Sequence, residues 1–593
     1  MNMIRFLVLT VILVFAQFSA AFASGNPILY KISVDASDLT GFNVEMQIPN
    51  SGATVRVAMA AHPEYDDRYW RYIENFAATD SRGRTLPVVR EGAPVWRIEK
   101  APRDLVVKYR LRLPAQTYAF RDAWKPFLTP TGGMVGDLHS LMYVVGGEWL
   151  PTRLTLDLPA GWSAASGLEP TKDRNVFTGS TELMLDAPVI IGSFREWKFN
   201  AGGVPHSVVL WSSPDAKPVD AAPIVDGIER LTNQAIRAFG PPPYPRYSFL
   251  FQDGGSAALE HATSLNVGLP TDLSDTFEEI AHEYVHVWNL MDVRPRERVG
   301  VRYRFAEPTN VLWWSEGATI MFADLLLRRA GVAGDPRPRL QRLESIIARY
   351  LSAPGYTSLS AELVSRGDSH PELLTTDFPS THLQGEVLTT MLDFKIRDAT
   401  DGRRNLTHVM RTLAERFSQR RGIVNQDIKA ALEEACGCQV DDFFREHISN
   451  ARRADFDRYL SAIGVRAEVN YATALAADGK PAVDLRVGPV SATSEMKVRI
   501  TNSLSAWAKA DLRTGDRVIS ADGKPTPGWQ EFRNWLRTLK VGDVGRLVVE
   551  RDGISKNIEV NLIAYTIPTV RLIELPGASP KQLRLRESWK NAN

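Results

Sequence analysis

Ala281-His282-Glu283-Tyr284-Val285-His286-Val287-Trp288-Asn289 is the stretch from which the rest of the chain is read. It sets a His-Glu-x-x-His pentapeptide inside an apolar run with helical spacing. Two histidines four apart on a helix are separated by about 40° of rotation and about 6 Å of rise, so both imidazoles can reach one metal ion. Zinc suits such a pair, because it takes imidazole and carboxylate ligands tetrahedrally and, in catalytic sites, keeps one position for water. Glu283 follows the first histidine and can sit beside that water as its base. With ten histidines in 593 residues the bare pattern is scarce by chance. The bland alternative is a surface helix carrying two solvated histidines.

A three-ligand site needs a third donor. Trp313-Trp314-Ser315-Glu316-Gly317-Ala318-Thr319 supplies a glutamate inside a second apolar stretch with helical spacing that runs to Leu327. A carboxylate among tryptophans and aliphatics is costly to bury unless it is paired or bound to metal. His282, His286 and Glu316 are therefore the expected ligands of one zinc per chain.

These residues resemble the glycyl-aminopeptidase-like metallopeptidases of the gluzincin group. The likeness lies in His282-Glu283-Tyr284-Val285-His286 with Trp288-Asn289, in Arg294-Pro295, and in Trp314-Ser315-Glu316-Gly317-Ala318-Thr319. Leu259-Glu260-His261-Ala262-Thr263-Ser264 is similar to the family's substrate-binding strand. Gly385-Glu386-Val387-Leu388 and Leu392 to Arg397 are similar to a later helix. The resemblance implies a multidomain α+β chain: an N-terminal all-β domain, a thermolysin-like catalytic domain with a small sheet and a helical lobe, and a C-terminal PDZ-like domain. It also implies an aminopeptidase, with Glu260 facing the free α-amine of a peptide through a charge-assisted hydrogen bond. An ordinary strand-end glutamate is the alternative for Glu260, and His261 is left without a role. Tyr284 and Trp288 read as packing.

The sequence departs from the family at one place. Ahead of Gly385 the family carries a tyrosine pair whose hydroxyl is a candidate oxyanion donor, whereas this chain reads Ser380-Thr381-His382-Leu383-Gln384. His382 is the expected substitute, since an imidazole N–H can donate to a developing oxyanion. The alternative is a polar residue at a helix start.

Composition limits the other readings. Seventy basic and sixty-nine acidic side chains give a net charge of +1, with no long run of either sign, so no nucleic-acid partner is expected. Arg5, the apolar run Phe6 to Phe18 and the small residues of Ala21-Phe22-Ala23 have the layout of a secretory signal peptide over residues 1–23. The mature protein is then expected to be exported, periplasmic or secreted, without an integral span. Cys436 and Cys438 flank Gly437; two cysteines make neither a staple for a chain of this size nor a complete metal site, and they are assigned no function.

Along the chain, residues 24–198 carry short alternating stretches such as Phe42 to Ile48, Leu105 to Leu111 and Arg153 to Leu158, which predict strands with one buried face. Residues 199–465 form the expected catalytic domain: strands at Ser207 to Trp211, Tyr247 to Phe251 and around Leu259 to Val267, then helical spacing from Thr276 onward. Residues 466–566 read as the PDZ-like domain, with Ala510 to Ile519 and Ala521-Asp522-Gly523-Lys524-Pro525 as its central signature. A peptide or protein ligand of this domain is among the expected partners, although no Gly-Leu-Gly-Phe-type loop precedes Val498 to support peptide capture. Residues 567–593 are expected to be a polar, basic and loosely held tail. The function so implied is removal of N-terminal residues, glycine or alanine among them, from peptides. The alternatives are an exported zinc endopeptidase and a non-catalytic binding protein built on the PDZ-like module.

Overall fold

The computed structural model describes residues 26–593 apart from 63–67, 116–120, 217–218, 270–272, 305–306, 333, 371–372, 375–376, 378, 419–420 and 491–495. The expected signal peptide lies outside the described residues. The chain forms two compact units. One comprises the residues up to Glu229 with Pro242–Val287 and Gly300–Ala306; the other comprises Arg230–Pro241, Trp288–Val299 and Glu307–Asn593. The division passes one residue beyond His286.

The first unit opens with a seven-stranded sheet in which Ile28–Ser33 lies parallel to Pro151–Asp157 and antiparallel to Gly41–Ile48, followed by Leu105–Arg112 and Ile73–Asp80. Alternate residues point to opposite faces of a strand, so Tyr30, Ile32, Val44, Met46, Val107 and Tyr109 are all buried in one core. Met142–Val144 and Thr54–Met59 belong to a separate four-stranded sheet that shares this core. Two buried phenols tie the layers together. Tyr30 donates to the Met142 carbonyl at 2.8 Å, and Tyr109 donates to the Ser140 carbonyl at 2.9 Å while accepting from the Met142 N–H at 3.0 Å. The expected all-β N-terminal domain is present.

A five-stranded mixed sheet follows, ordered Phe194–Ala201, Val204–Trp211, Tyr247–Asp253, Ser264–Leu269 and Ala258–Glu260. Its inner strands run parallel and every residue of Ser264–Leu269 is buried, as strands covered on both faces must be. The short Ala258–Glu260 strand is the edge, paired antiparallel with Leu265 opposite Glu260. The Leu273–His286 helix packs on these last two strands.

The second unit is helical around the Thr381–Ala399 helix, which is buried along almost its whole length and packs on Gly317–Ala330 and Arg339–Leu351. The closest approach is backbone on backbone: a Cβ at Gly317 would lie 2.1 Å from the Gly385 carbonyl carbon, and one at Gly385 would lie 2.1 Å from the Trp313 carbonyl oxygen. No other residue type fits at either glycine without moving a helix. Cys436 and Cys438 are bridged.

The C-terminal module has the expected antiparallel strands Arg517–Ala521, Val544–Arg551 and Ile554–Asn561 and the helix Trp529–Leu536, closed over Trp507, Phe532, Leu547 and Val549. The tail is a correction. Thr566–Glu574 is a strand paired along nine residues with Val465–Thr473, and Pro580–Lys590 is a capped helix rather than a loose end. Arg339 lies over the Trp589 ring at 4.3 Å and donates to the Trp589 carbonyl at 2.6 Å, while Arg397 donates to the Asn593 carbonyl at 2.7 Å. Arginines from other helices thus satisfy the carbonyls at the end of this helix, and Leu585 and Trp589 are buried.

Candidate metal centre and active site

The first unit carries His282, Glu283 and His286 on the last turns of the Leu273–His286 helix. The two imidazole Nε2 atoms face one another at 2.9 Å, with the rings perpendicular and their centroids 4.5 Å apart. One oxygen of Glu283 lies within 4.8 Å of a ring nitrogen of each histidine. Zinc held by nitrogens at about 2.0–2.1 Å in tetrahedral geometry puts two such atoms about 3.3 Å apart. The pair therefore already converges on one point, and its donor chemistry fits the metal. His286 is buried and His282 half-buried.

What aims the histidines is the residue between them. Two positions along a helix turn the side chain by about 200°, so Tyr284 points away from both ligands. Tyr284 is fully buried, and its hydroxyl meets that of Tyr244. Tyr244 in turn meets His206 Nε2 at 2.9 Å, and His206 Nδ1 meets the Val204 carbonyl at 2.9 Å. A carbonyl only accepts, so Nδ1 carries the proton. Nε2 then accepts from Tyr244, whose oxygen accepts from Tyr284. Burial pushes the His206 imidazole down to about 4, which keeps it neutral in this arrangement. Tyr284 is packing, as expected, with a polar anchor that spacing does not reveal.

Glu260 ends the edge strand and is half-buried. The buried Tyr247 phenol marks its surroundings: burial foremost, then the charges of Tyr284, Glu283, Asp186 and Glu260, holds that phenol well above its ordinary value. Glu260 and Glu283 thus act on the same buried ring. Next to it, His261 is buried with Nδ1 at 3.5 Å from Asp186 Oδ1. The other Asp186 oxygen accepts from the Ala262 N–H at 2.7 Å, so Asp186 secures the turn that follows Glu260.

The second unit carries Glu316 and His382. Glu316 joins the helical turn Leu312–Ser315 to the helix Gly317–Ala330. The backbone ladder passes through it, from the Glu316 N–H to the Leu312 carbonyl at 2.7 Å and from the Ile320 N–H to the Glu316 carbonyl at 3.0 Å. Glu316 is buried among fully buried tryptophans. Its Oε2 stands 3.1 Å from His382 Nε2, on a side chain 45% exposed. His382 is thus engaged with the carboxylate expected as a ligand, an arrangement that its position as a helix-start residue does not announce.

Asn289 is the residue that sequence reading left without a role. The helix of the first motif continues as a π turn over Val287–Asp292. In it the fully buried Asn289 amide donates to the Trp314 carbonyl at 3.2 Å, the Ser315 carbonyl at 3.2 Å and Thr319 Oγ1 at 3.1 Å. Its place three residues after His286 in the sequence is the signal that could have found it. Trp288 packs against Phe239 and donates to the Pro241 carbonyl at 3.3 Å.

Comparison with known proteins agrees with this architecture. The Peptidase M61 N-terminal domain model matches residues 29–193, the M61 glycyl aminopeptidase model residues 275–377, and a PDZ domain model residues 461–562. No curated protein matches. Among solved structures, an aminopeptidase N family protein from Idiomarina loihiensis shares the fold with a TM-score of 0.72 at 19% identity, over 94% of this chain and 99% of that one. An M1 zinc metallopeptidase from Deinococcus radiodurans has a TM-score of 0.46 at 14% identity, over 72% of this chain and 94% of that one, a likeness too distant to add to the argument. The chain is an aminopeptidase-like metallopeptidase that resembles the glycyl-aminopeptidase gluzincins, its segments matching the M61 N-terminal domain, the M61 glycyl aminopeptidase and the PDZ domain models in that order.

Proposed function

We propose that the protein is a zinc-dependent aminopeptidase that removes N-terminal residues from short peptides. The observation that carries this reading is the convergence of His282 Nε2 and His286 Nε2 at 2.9 Å with the Glu283 carboxylate beside them. His282, His286 and Glu316 would hold one zinc per chain. The likeness of Trp314-Ser315-Glu316-Gly317-Ala318-Thr319 to the family's second motif supports Glu316 as the third ligand.

When bound, zinc supplies Lewis acidity that polarises a peptide carbonyl and makes water more acidic. The chain's own residues do the rest. Glu283 takes the proton of the attacking water and delivers it to the departing amine. Glu260 receives the substrate's free α-ammonium in a charge-assisted hydrogen bond, and the clasp of Asp186 on Ala262 keeps that strand end in place. His382, which pairs with Glu316, would either donate to the developing oxyanion or hold Glu316 in its ligating orientation. The motif resemblance supports glycine and alanine as leaving residues.

Arg5, the apolar run Phe6 to Phe18 and Ala21-Phe22-Ala23 support export, with action in the periplasm or outside the cell. Among the described residues no helix is long and apolar enough to cross a membrane. The deciding experiment assays the protein against aminoacyl reporters and N-blocked peptides, with and without chelator. Cleavage of the free substrates alone, abolished by chelator, is expected. Equal turnover of blocked peptides would make it an endopeptidase, and no chelator-sensitive turnover of either would leave the PDZ-based binding role.

A further inference from the structure

The PDZ module contacts the segment that leads into the helix bearing His382. The loop after strand Val498–Ile500 presents the Ser503 N–H to Asp377 Oδ1 at 2.6 Å, while the buried Asn502 donates its amide to the Ser352 carbonyl at 3.0 Å and turns its oxygen back to the Leu504 N–H at 2.8 Å. On the strand itself, burial holds the Arg499 guanidinium below its ordinary value, the charge of Asp368 opposing that shift, and Asp368 Oδ1 accepts from Thr381 Oγ1 at 3.1 Å.

Asp377 and Thr381 bracket the start of the Thr381–Ala399 helix. Between them, the Ser380 N–H donates to the Tyr356 hydroxyl at 2.9 Å, and Ser380 Oγ caps the Leu383 N–H at 3.4 Å. Asp377 also leans on the chain at Gly355, where a Cβ would come 2.9 Å from its own Cβ. His382 is the second residue of this helix, 3.1 Å from Glu316. Further along, the helix is fixed against the Glu316 segment by the Gly317 and Gly385 approach. Its first turn is tied down through side chains, with Thr381 on Asp368 and Gln384 on the Leu359 carbonyl, and the chain entering it is held by Ser380 on Tyr356 and by Asp377 on Ser503.

We propose that docking of the PDZ segment Arg499–Ser503 holds the first turn of the Thr381–Ala399 helix, and that Asp377 is a positioning residue that keeps His382 against Glu316. The PDZ module is on this view part of the active-site scaffold and not a tethered accessory. The inference rests on the reading of Glu316 and His382 as site residues.

The test uses the full chain and three variants, Asp377→Ala, Asp377→Asn, and Asp377→Ala combined with Arg499→Ala. Hydrogen exchange is followed in chelator-treated protein, where it does not depend on catalysis. The double variant should exchange residues 380–386 at least about fivefold faster, while the PDZ strands Arg517–Ala521 and Val544–Arg551 keep their protection. Asp377→Asn retains an acceptor for Ser503 and should restore the parental rate. In the zinc-loaded protein the double variant should lower kcat about tenfold with KM unchanged. Parental exchange in the double variant, or faster exchange with kcat unaltered, overturns the proposal. If the parental chain hydrolyses no peptide, the proposed function has failed, and the exchange arm alone then decides the docking claim.

Discussion

His206 makes the hydrogen-bond chain beneath the zinc-motif helix sensitive to mild acid, and the size of the effect follows from its surroundings. Its imidazole is held at about 4 by burial against about 6.5 in an unfolded chain. Between those values the unfolded state binds the proton and the native state does not, so stability falls as pH falls. The full penalty is the 2.5-unit difference at 1.36 kcal/mol per unit, about 3 kcal/mol. Most of it, about 2 kcal/mol, is already lost between pH 7 and pH 5, before the carboxylates with ordinary values titrate. Protonation would give Nε2 a hydrogen and force Tyr244 and Tyr284 to reverse their donors. The assay is native-state hydrogen exchange of the Val204–Trp211 and Tyr247–Asp253 strands, corrected for intrinsic rate and compared with His206→Gln, which cannot be protonated. The wild-type protein should lose about 30-fold more protection between pH 7 and pH 5 than the variant does. Identical losses in the two proteins would refute the neutral His206 chain.

Four other outcomes follow. Asn289→Ala removes the donor shared by two buried carbonyls and Thr319, and leaves those acceptors at a cost of about 1–3 kcal/mol each if unsatisfied; competitive chelation should show weaker zinc binding, and unchanged affinity would detach Asn289 from the centre. Glu260→Ala should weaken free-amine substrates by about 1.5–3 kcal/mol in kcat/KM and leave N-acetylated peptides equally inert, whereas an unaltered kcat/KM would return Glu260 to an ordinary strand end. His382→Ala separates two roles: a fall in kcat of about 100-fold or more with zinc retained marks an oxyanion donor, while loss of zinc affinity marks a residue that holds Glu316, and no change in either removes it from the site. Trp589→Ala deletes the ring packed between Arg339 and Phe394 and should cost about 3–5 kcal/mol, seen as a lower thermal midpoint of the helical unit; an unshifted midpoint would mean the C-terminal helix contributes nothing to it.

The parts of this protein that were legible in its sequence are those whose information is local. The four-residue spacing of His282 and His286 fixes their common side on a helix, and the alternation in Phe42 to Ile48 or Leu105 to Leu111 fixes the buried face of a strand. The remainder depends on partners far apart in the chain. His206, Tyr244 and Tyr284 are separated by 38 and 40 residues, and nothing in their spacing couples them. The pairing of Glu316 with His382 depends on two glycines that let backbones touch, a relation visible only once both helices are placed. The C-terminal segment misled for a different reason. Its helix is polar and basic, with little of its own to bury beyond Leu585 and Trp589, and the groups that hold its end are arginines of other helices. The strand Thr566–Glu574 was missed because its partner, Val465–Thr473, lies about a hundred residues earlier and much of the ribbon faces solvent.

On the proposed function Glu283 is the base of a zinc aminopeptidase and is not itself a ligand. The most direct measurement is Glu283→Gln, with zinc content and peptide hydrolysis determined on the same preparation beside the parent. One zinc per chain is expected in both proteins, with hydrolysis by the variant reduced at least about 100-fold. Parental turnover in a zinc-loaded Glu283→Gln protein would contradict it.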